Sequence, residues 1–222
     1  MNWTWMRMAS WIDTRAQFVG SLPKRGRLLD LGSSDGGTLR HFAELRPDLA
    51  LAAGDIEGRP EAYPRSTDFR RSDFERDPLP WPDGLFDGVT CMHVVEHLQD
   101  PSHLMREAFR VLAPRGGLYV ETPAPETVDM KSATGRAAGR VTVNFFDDPT
   151  HVRPVTVEDL SAMALHAGFE STGNGVSRSL LFSAAYPVLR VLRPDSRGRY
   201  VAQLHWTGWS VYMIARKPGR ER

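Results

Sequence analysis

Apolar and polar positions divide the chain into short buried runs that alternate with longer amphipathic segments. Five segments have the length and the boundaries of strands: 28–31, 49–55, 68–71, 86–92 and 118–122. Three segments repeat apolar residues at helical spacing: 38–45, 102–112 and 157–167. This alternation predicts right-handed β-α-β units and a parallel sheet with helices on both faces, with ligands beyond the carboxyl ends of the strands.

Other segments flank or interrupt this alternation. Residues 1–20 carry apolar residues that are compatible with an N-terminal amphipathic helix. The connection 123–150 is too long for an ordinary loop, so we expect a lid or an acceptor loop there. A strand near Phe169 and an insertion over 178–205 precede the last predicted strand, 209–215.

Composition and charge narrow the class of protein. The formal net charge of +1 gives no electrostatic reason to expect nucleic acid as a partner. Cys91 is the single cysteine, which excludes an internal disulfide framework and a cysteine-based zinc site. Because there is no apolar run of about 18 residues and no basic-then-apolar start, we expect a cytoplasmic protein. The length suits one domain over residues 1–222.

The first predicted strand ends in a sharp, glycine-containing turn before a helix. Gly32, Ser34 and Gly37 fit the dinucleotide-binding pattern G-x-G-x-x-G with one mismatch. Asp55 supplies the acidic residue that this pattern requires about 20 positions later. Glycine lets a ligand approach the backbone, and the free N–H groups of the next helix favour a polar ligand. The turn alone leaves open a pyrophosphate, another ligand or no ligand.

Carboxylates occur at the ends of three predicted strands along one edge of the sheet. Asp30 lies in the first turn, Asp55 after the second strand and Asp73 after the third. Asp55 can accept both hydroxyls of a ribose, and Asp73 with Phe74 suits an adenine, which offers amino hydrogens and a face for stacking. Asp30 can hold the turn or meet a cationic ligand group.

Longer segments carry a resemblance to a known family. They read HVVEHLQDPSHLMREAFRVLAPRGGLYVETP, THVRPVTVEDLSAMALHAGFE and YMIARKP. With them the chain resembles the class I S-adenosylmethionine-dependent methyltransferases of the broad small-molecule group. The resemblance implies a single-domain, Rossmann-like α/β fold, in which a seven-stranded, mostly parallel sheet has helices on both faces and an antiparallel last strand. It also implies S-adenosylmethionine as the cofactor, across the ends of the first four strands.

The resemblance extends to individual residues. The cofactor-binding residues that it implies are Asp30, Gly32, Ser34, Gly36, Asp55, Ile56, Asp73, Phe74, Met92 and His93. The glycines would approach the methionine part of the cofactor, the pair at 92–93 would flank its sulfonium, and Asp55 would hold the ribose. Asp73 and Phe74 would hold the adenine. Ser34 departs from the family, in which a second glycine is common at this position.

The stretch from His93 to His97 matches H-x-x-E-H, a zinc-protease pattern that requires its ligands within a helix. Because the stretch follows a predicted strand directly, we reject a protease. His93, Glu96 and His97 could hold a divalent ion, as a related constellation does in ubiquinone-type O-methyltransferases, but there a carboxylate replaces His93 and imidazoles favour zinc-like ions. We prefer hydrogen bonds that shape the pocket, and metal use stays unknown.

Histidine is also the candidate for proton transfer. A sulfonium is an activated methyl donor, so the protein has to align the acceptor and exclude water. A hydroxyl acceptor would need a general base, and histidine titrates in a suitable range. His151, in the segment DDPTHVRP, is the first candidate for this catalytic role and His97 is the second. His151 could instead only hold the long loop in place.

These observations predict an enzyme, an S-adenosylmethionine-dependent methyltransferase that acts at oxygen on a small-molecule or saccharide acceptor of glycan type. A quinone or a lipid-linked phenol is the alternative acceptor. From other classes, we keep a NAD-dependent oxidoreductase and a non-catalytic nucleotide-binding module. The oxidoreductase leaves Asp73, Phe74 and the histidines at 93 and 97 without a role.

The insertion 178–205 combines apolar residues with several arginines. Such a segment could make peripheral contact with a membrane surface or with a prenyl-linked substrate. We favour packing of a helix on the domain or on a second subunit, which would give a homodimer.

Overall fold

Seven strands form one sheet in the computed structural model, which describes residues 4–134, 138–139 and 141–219. They are β1 (Arg27–Leu31), β2 (Ala50–Asp55), β3 (Asp68–Arg71), β4 (Phe86–Met92), β5 (Leu112–Pro123), β6 (Glu170–Ser177) and β7 (Ser210–Arg216). Their order is β3-β2-β1-β4-β5-β7-β6. β7 is antiparallel to β5 and β6, and the other neighbours are parallel. The predicted fold class, including the antiparallel last strand, is confirmed.

The described residues also form α-helices of 7 to 13 residues. They are α1 (Thr14–Gly20), α2 (Gly37–Leu45), α3 (Pro101–Val111), α4 (Val157–His166), α5 (Leu180–Leu192) and α6 (Arg197–Thr207). The helices predicted at 38–45, 102–112 and 157–167 correspond to α2, α3 and α4. α5 and α6 fill the predicted insertion and pack against each other.

The N-terminal segment differs from the single helix predicted over 1–20. Residues 1–3 lie outside the described part of the chain, and two short 3-10 turns, Thr4–Met8 and Ser10–Ile12, precede α1. Asp13 separates them from α1 because its backbone is extended and its carboxylate accepts the N–H groups of Arg15 and Ala16. A capping carboxylate satisfies N–H groups that the first turn of a helix leaves free, so the helix begins after it.

Side chains of β1 alternate between two apolar clusters. Leu28 belongs to a cluster with Phe18 of α1 and Phe42 of α2. Leu29 belongs to the other cluster, which contains Leu104 of α3. Because successive side chains of a strand point to opposite faces, β1 joins both cores. The sheet is therefore covered on both faces, as predicted.

The connection 123–150 includes the 3-10 turns Pro125–Asp129 and Phe145–Asp147, while residues 135–137 and 140 lie outside the described part. Its later part is held against the domain, because the Trp209 indole N–H donates to the Val143 carbonyl at 2.7 Å. Its function as a lid or acceptor loop stays a prediction.

One face of α5 is exposed and apolar. Val188, Val191 and Leu192 are 57%, 77% and 73% exposed. The predictions of a membrane contact and of a homodimer at this helix therefore remain predictions, since the exposed face is compatible with either.

Glu121 on β5 is a fully buried carboxylate that fixes α1 to the sheet. It accepts hydrogen bonds from both Arg15 Nε, at 2.8 Å, and Arg15 Nη2. The hydroxyls of Tyr119 and Ser177 also donate to Glu121 Oε2, at 2.8 and 2.9 Å. Burial raises the pKa of Glu121, but Arg15 and His93 outweigh it and hold this pKa well below its usual range. The carboxylate is ionised and fully paired.

Replacement of this carboxylate is expected to destabilise the fold strongly. Glu121→Gln leaves the Arg15 guanidinium without its counter-ion, and loss of one partner from a buried pair costs about 3–5 kcal/mol. Urea denaturation measures the free energy of unfolding. Asp83→Asn is the matched control, because Asp83 is 80% exposed in its pair with Arg110 and such pairs contribute about 0–1 kcal/mol. Equal effects of the two substitutions would contradict the importance of the buried pair.

Candidate functional site

A cavity of about 480 Å³ lies beyond the carboxyl ends of β1, β2 and β4. Its walls come from the turns that follow these strands and from the turn after β3. The lining residues are Gly32, Ser34, Asp55, Ile56, Ser72, Asp73, Phe74, Glu75, Arg76, His93, Val94, His97 and Leu98. Ligand pockets have volumes of roughly 300–1,000 Å³. The predicted edge of the sheet therefore carries a pocket of suitable size.

The turn after β1 requires glycine at one position. Gly32 has a φ of +76°, and a Cβ added there would lie 2.1 Å from Val94 Cγ2. Ser34 also has a left-handed backbone, with a φ of 45°, and its N–H donates to Asp55 Oδ2 at 2.8 Å. Serine thus adopts the conformation for which glycine is common, and a hydrogen bond to β2 holds it there.

Asp55 is placed to bind a diol. Besides the bond from Ser34, its Oδ1 accepts the N–H of Glu57 at 2.8 Å. A carboxylate oxygen can accept two hydrogen bonds, so each oxygen of Asp55 retains acceptor capacity on the cavity wall. This geometry suits the two neighbouring hydroxyls of a ribose.

The turn after β3 supplies a polar end of the cavity. Ser72 is buried, and its Oγ has no hydrogen-bond partner among the described residues. Asp73 Oδ1 accepts the N–H of Glu75 at 3.0 Å, and Phe74 is buried beside it. A buried hydroxyl without a partner is unusual in a folded protein and indicates a polar ligand group at this end.

His93 lies between two buried carboxylates. Its Nδ1 is 3.3 Å from Glu96 Oε1 and its Nε2 is 3.4 Å from Glu121 Oε1. Burial lowers the pKa of His93, but the hydrogen bonds to Glu121 and Glu96 outweigh burial and raise this pKa to about 9. Its backbone is in the left-handed region, with a φ of 56°. His93 is therefore a fixed cation at neutral pH and has no lone pair with which to accept a proton.

His97 lines the cavity and ends a short series of hydrogen bonds. The Thr150 hydroxyl donates its single proton to Asp148 Oδ1 at 2.6 Å. Thr150 Oγ1 therefore accepts from His97 Nδ1, which lies 2.8 Å away. In the neutral imidazole this arrangement leaves the Nε2 of His97 unprotonated.

His151 lies beside His97, outside the lining of the cavity. The two ring centroids are 4.7 Å apart, and the His151 side chain is 4% exposed. His151 Nδ1 donates to the carbonyl of Phe145 at 2.6 Å. One ligand atom each from Glu96, His97 and His151 lies within 4.8 Å of the others, which differs from the trio of His93, Glu96 and His97 considered from the sequence.

Most of the predicted cofactor residues line the cavity, but three do not. Asp30 is buried within β1, where the Thr90 hydroxyl donates to it at 2.7 Å. Burial raises the pKa of Asp30 to about 7, although the bond from Thr90 acts in the opposite direction. Gly36 precedes α2 as its N-cap and packs on Tyr63, and Met92 is buried in the core.

Sequence patterns missed several residues that build the site. Ser72, Val94 and Leu98 line the cavity, and Arg15 with Glu121 fixes its His93 wall. Glu121 carried a signal, because it is a charged residue inside the apolar run 118–122. Its partner, 106 positions earlier, carried none.

Comparison with known proteins agrees with this geometry. Residues 3–172 match a family model described as a methyltransferase domain. The chain belongs to this family.

Curated relatives and a solved structure show the extent of the similarity. The 27-O-demethylrifamycin SV methyltransferase of Amycolatopsis mediterranei is 28% identical over 66% of this chain and 60% of its own length. The ubiquinone biosynthesis O-methyltransferase of Pseudomonas aeruginosa is 29% identical over 51% of this chain and 49% of its own. The structure of an S-adenosylmethionine-dependent methyltransferase from Mesorhizobium loti has 17% identity and a TM-score of 0.64, and covers 90% of this chain and 96% of that chain. The chain spans 60% or less of these two curated relatives.

The methyltransferase domain fits S-adenosylmethionine as its cofactor. Asp55 offers acceptors for a ribose, and Ser72 offers a buried hydroxyl without a protein partner. The family and the cofactor expected from the sequence are thus confirmed. In residues 4–134, 138–139 and 141–219, no helix combines the length and the apolar character needed to span a bilayer.

The raised pKa of His93 predicts a pH dependence of stability. Because its folded pKa of about 9 exceeds the ordinary 6.5, the folded state binds this proton more tightly. The contribution to stability is complete below pH 6.5 and is lost as the pH rises to about 9. Unfolding of the wild type and of His93→Gln, measured between pH 6 and 10, should give a stability difference that shrinks across this window. A difference that is constant with pH would contradict a charged His93.

Proposed function

We propose that the chain transfers the methyl group of S-adenosylmethionine to a hydroxyl oxygen of a small-molecule acceptor. The observation that carries this proposal is the series of hydrogen bonds from Asp148 through Thr150 to His97, which ends at the cofactor cavity. The name of the ubiquinone-biosynthesis relative specifies transfer to oxygen, which supports an oxygen acceptor. Saccharide acceptors and quinone or lipid-linked phenols belong to this proposal as narrower classes.

The cofactor roles follow the geometry of the cavity. Asp55 would accept hydrogen bonds from the ribose hydroxyls. Ser72 and Asp73 would bind the polar edge of the adenine, and Phe74 would contact the adenine ring. Gly32 would admit the methionine part close to the backbone. When bound, S-adenosylmethionine supplies a methyl group on a sulfonium, which is already an electrophile.

Proton removal falls to His97 in this proposal. Its Nε2 is unprotonated in the tautomer that Thr150 fixes, so it would accept the proton of an acceptor hydroxyl whose oxygen takes the methyl group, the bond from that group to the sulfonium sulfur breaking to leave S-adenosylhomocysteine. His93 cannot take this role while it is protonated between Glu96 and Glu121. The order of the two catalytic candidates from the sequence is thus reversed, and His151 becomes a positioning residue that packs against His97.

Binding measurements separate the proposed function from its alternatives. S-adenosylhomocysteine should raise the melting temperature of the protein, and NAD should leave it unchanged. Asp55→Ala should weaken the binding of S-adenosylhomocysteine at least tenfold, because the variant removes the hydrogen-bond acceptors for the ribose hydroxyls. Asp83→Asn, at an exposed surface pair, is the control and should bind normally. Stabilisation by NAD alone would overturn the proposal in favour of an oxidoreductase, and cofactor binding without methylation of any hydroxylated acceptor would favour a binding module.

Two substitutions test the assignment of the base. His97→Ala should lower kcat about 10²–10⁴-fold, the usual contribution of a general base, with S-adenosylhomocysteine affinity retained. Thr150→Val keeps the side-chain shape but removes the partner of Nδ1, so kcat should fall less and its pH profile should change. Release of S-adenosylhomocysteine in the presence of phenols and pyranosides measures turnover. Full turnover of His97→Ala would refute the base.

A chelator distinguishes this role from a metal site. If His97 acts as a base, treatment with EDTA should leave turnover unchanged. Loss of turnover that zinc or magnesium restores would instead assign Glu96, His97 and His151 to a metal ion.

A further inference from the structure

A second, smaller cavity adjoins the cofactor cavity at His93. Its volume is about 170 Å³. The lining residues are Arg15, His93, Ser177, Val201, Leu204, His205, Trp209 and Ser210. Apart from His93, they come from α1, the end of β6, α6 and the segment from Trp209 into β7, which lie outside the β-α-β units around the cofactor cavity. His93 lines both cavities, so a molecule in the second would have one edge next to the first.

The volume corresponds to a single ring. A cavity of about 150 Å³ in a protein core is known to accommodate benzene. The second cavity is slightly larger, so it has room for a six-membered ring with a small substituent. A fused ring system would exceed it.

The walls differ on the two sides of this cavity. Val201, Leu204 and Trp209 form an apolar side, and the indole N–H of Trp209 is already donated to Val143. His205 adds a neutral surface, because burial lowers its pKa to about 4 and its Nδ1 accepts the N–H of Ser179. This side therefore suits the face and the C–H edges of a ring.

The polar side carries hydrogen-bond donors that can bind a hydroxyl oxygen. Arg15 uses Nε and Nη2 for Glu121, and its Nη1 has no hydrogen-bond partner among the described residues. Ser210 is buried beside it, whereas the hydroxyl of Ser177 already donates to Glu121. The cations Arg15 and His93 are already balanced by Glu121 and Glu96, so the cavity offers no excess positive charge for a carboxylate or phosphate. The complementary group is a neutral hydroxyl.

We propose that the cavity between Arg15, His93, Leu204 and Trp209 is the acceptor site, and that it binds a phenol ring with the hydroxyl at the His93 edge. The proposal rests on the methyltransferase function proposed above. A phenol carries its oxygen on one edge and apolar C–H groups on the others, which matches the two sides. A pyranose carries hydroxyls around its whole rim and would bury several of them against Val201 and Leu204 without partners.

Calorimetry on the protein saturated with S-adenosylhomocysteine tests this site with three probes: phenol, cyclohexanol and methyl β-D-glucopyranoside. Phenol should bind saturably with one site per chain, cyclohexanol at least tenfold more weakly, and the pyranoside without measurable heat. Tighter binding of the pyranoside than of phenol would overturn the phenol class. Binding of S-adenosylhomocysteine without any saturable binding of phenol would overturn the site but leave the methyltransferase proposal intact.

Variants of Leu204 locate the binding. Leu204→Trp should fill the cavity and abolish phenol binding, with the thermal shift by S-adenosylhomocysteine unchanged as evidence of folding. Leu192→Trp is the control, because Leu192 is 73% exposed on α5, and should bind phenol normally. Leu204→Ala enlarges the cavity, so 2-naphthol should gain affinity at least tenfold relative to phenol. Unaltered phenol binding in Leu204→Trp, or no gain for 2-naphthol in Leu204→Ala, would refute the site.

Discussion

The buried charge of Glu121 is the constraint on which the site depends. An ionised carboxylate away from water is costly unless it is paired and fully hydrogen-bonded. Its partners come from different segments: Arg15 from α1, Ser177 from the end of β6 and His93 from the turn after β4. This one side chain therefore fixes α1 against the sheet, holds the end of β6 and orients His93. Since α1 and β6 meet at this carboxylate, the part of the fold that carries the second cavity is built around it.

This arrangement also divides the histidines by chemistry. His93 carries its proton because two carboxylates face its two ring nitrogens. His97 has the hydroxyl of Thr150 at Nδ1 instead, and this hydroxyl fixes its tautomer. In the proposed mechanism, two histidines of one motif, four positions apart, thus have different roles: His93 donates hydrogen bonds, and His97 would accept a proton. The H-x-x-E-H pattern itself does not distinguish them.

Local patterns predicted most residues of the turns that line the larger cavity, but of the smaller cavity they predicted only His93. Apolar runs give the strand ends, and because carboxyl ends of parallel strands meet at one edge, Asp55 and Asp73 could be placed there from the sequence. Asp30 shows the limit of that reasoning, since strand alternation turns it onto the face shared with Leu28, toward Thr90. The pairing of Arg15 with Glu121 joins residues 106 positions apart, and no local pattern records such a contact.

The two halves differ in how they tolerate change. The cofactor cavity is formed by backbone turns with fixed requirements, such as the Gly32 position, where a Cβ would collide with Val94. The second cavity is lined on its apolar side by Val201 and Leu204 of α6, a helix that follows the sheet edge and takes no part in those turns. Substitutions on α6 can therefore change the size and shape of the ring that the second cavity accepts. They would not move the turns that line the cofactor cavity. His93 belongs to both cavities, so acceptor choice and cofactor binding are linked through one imidazole, whose position Glu96 and Glu121 determine.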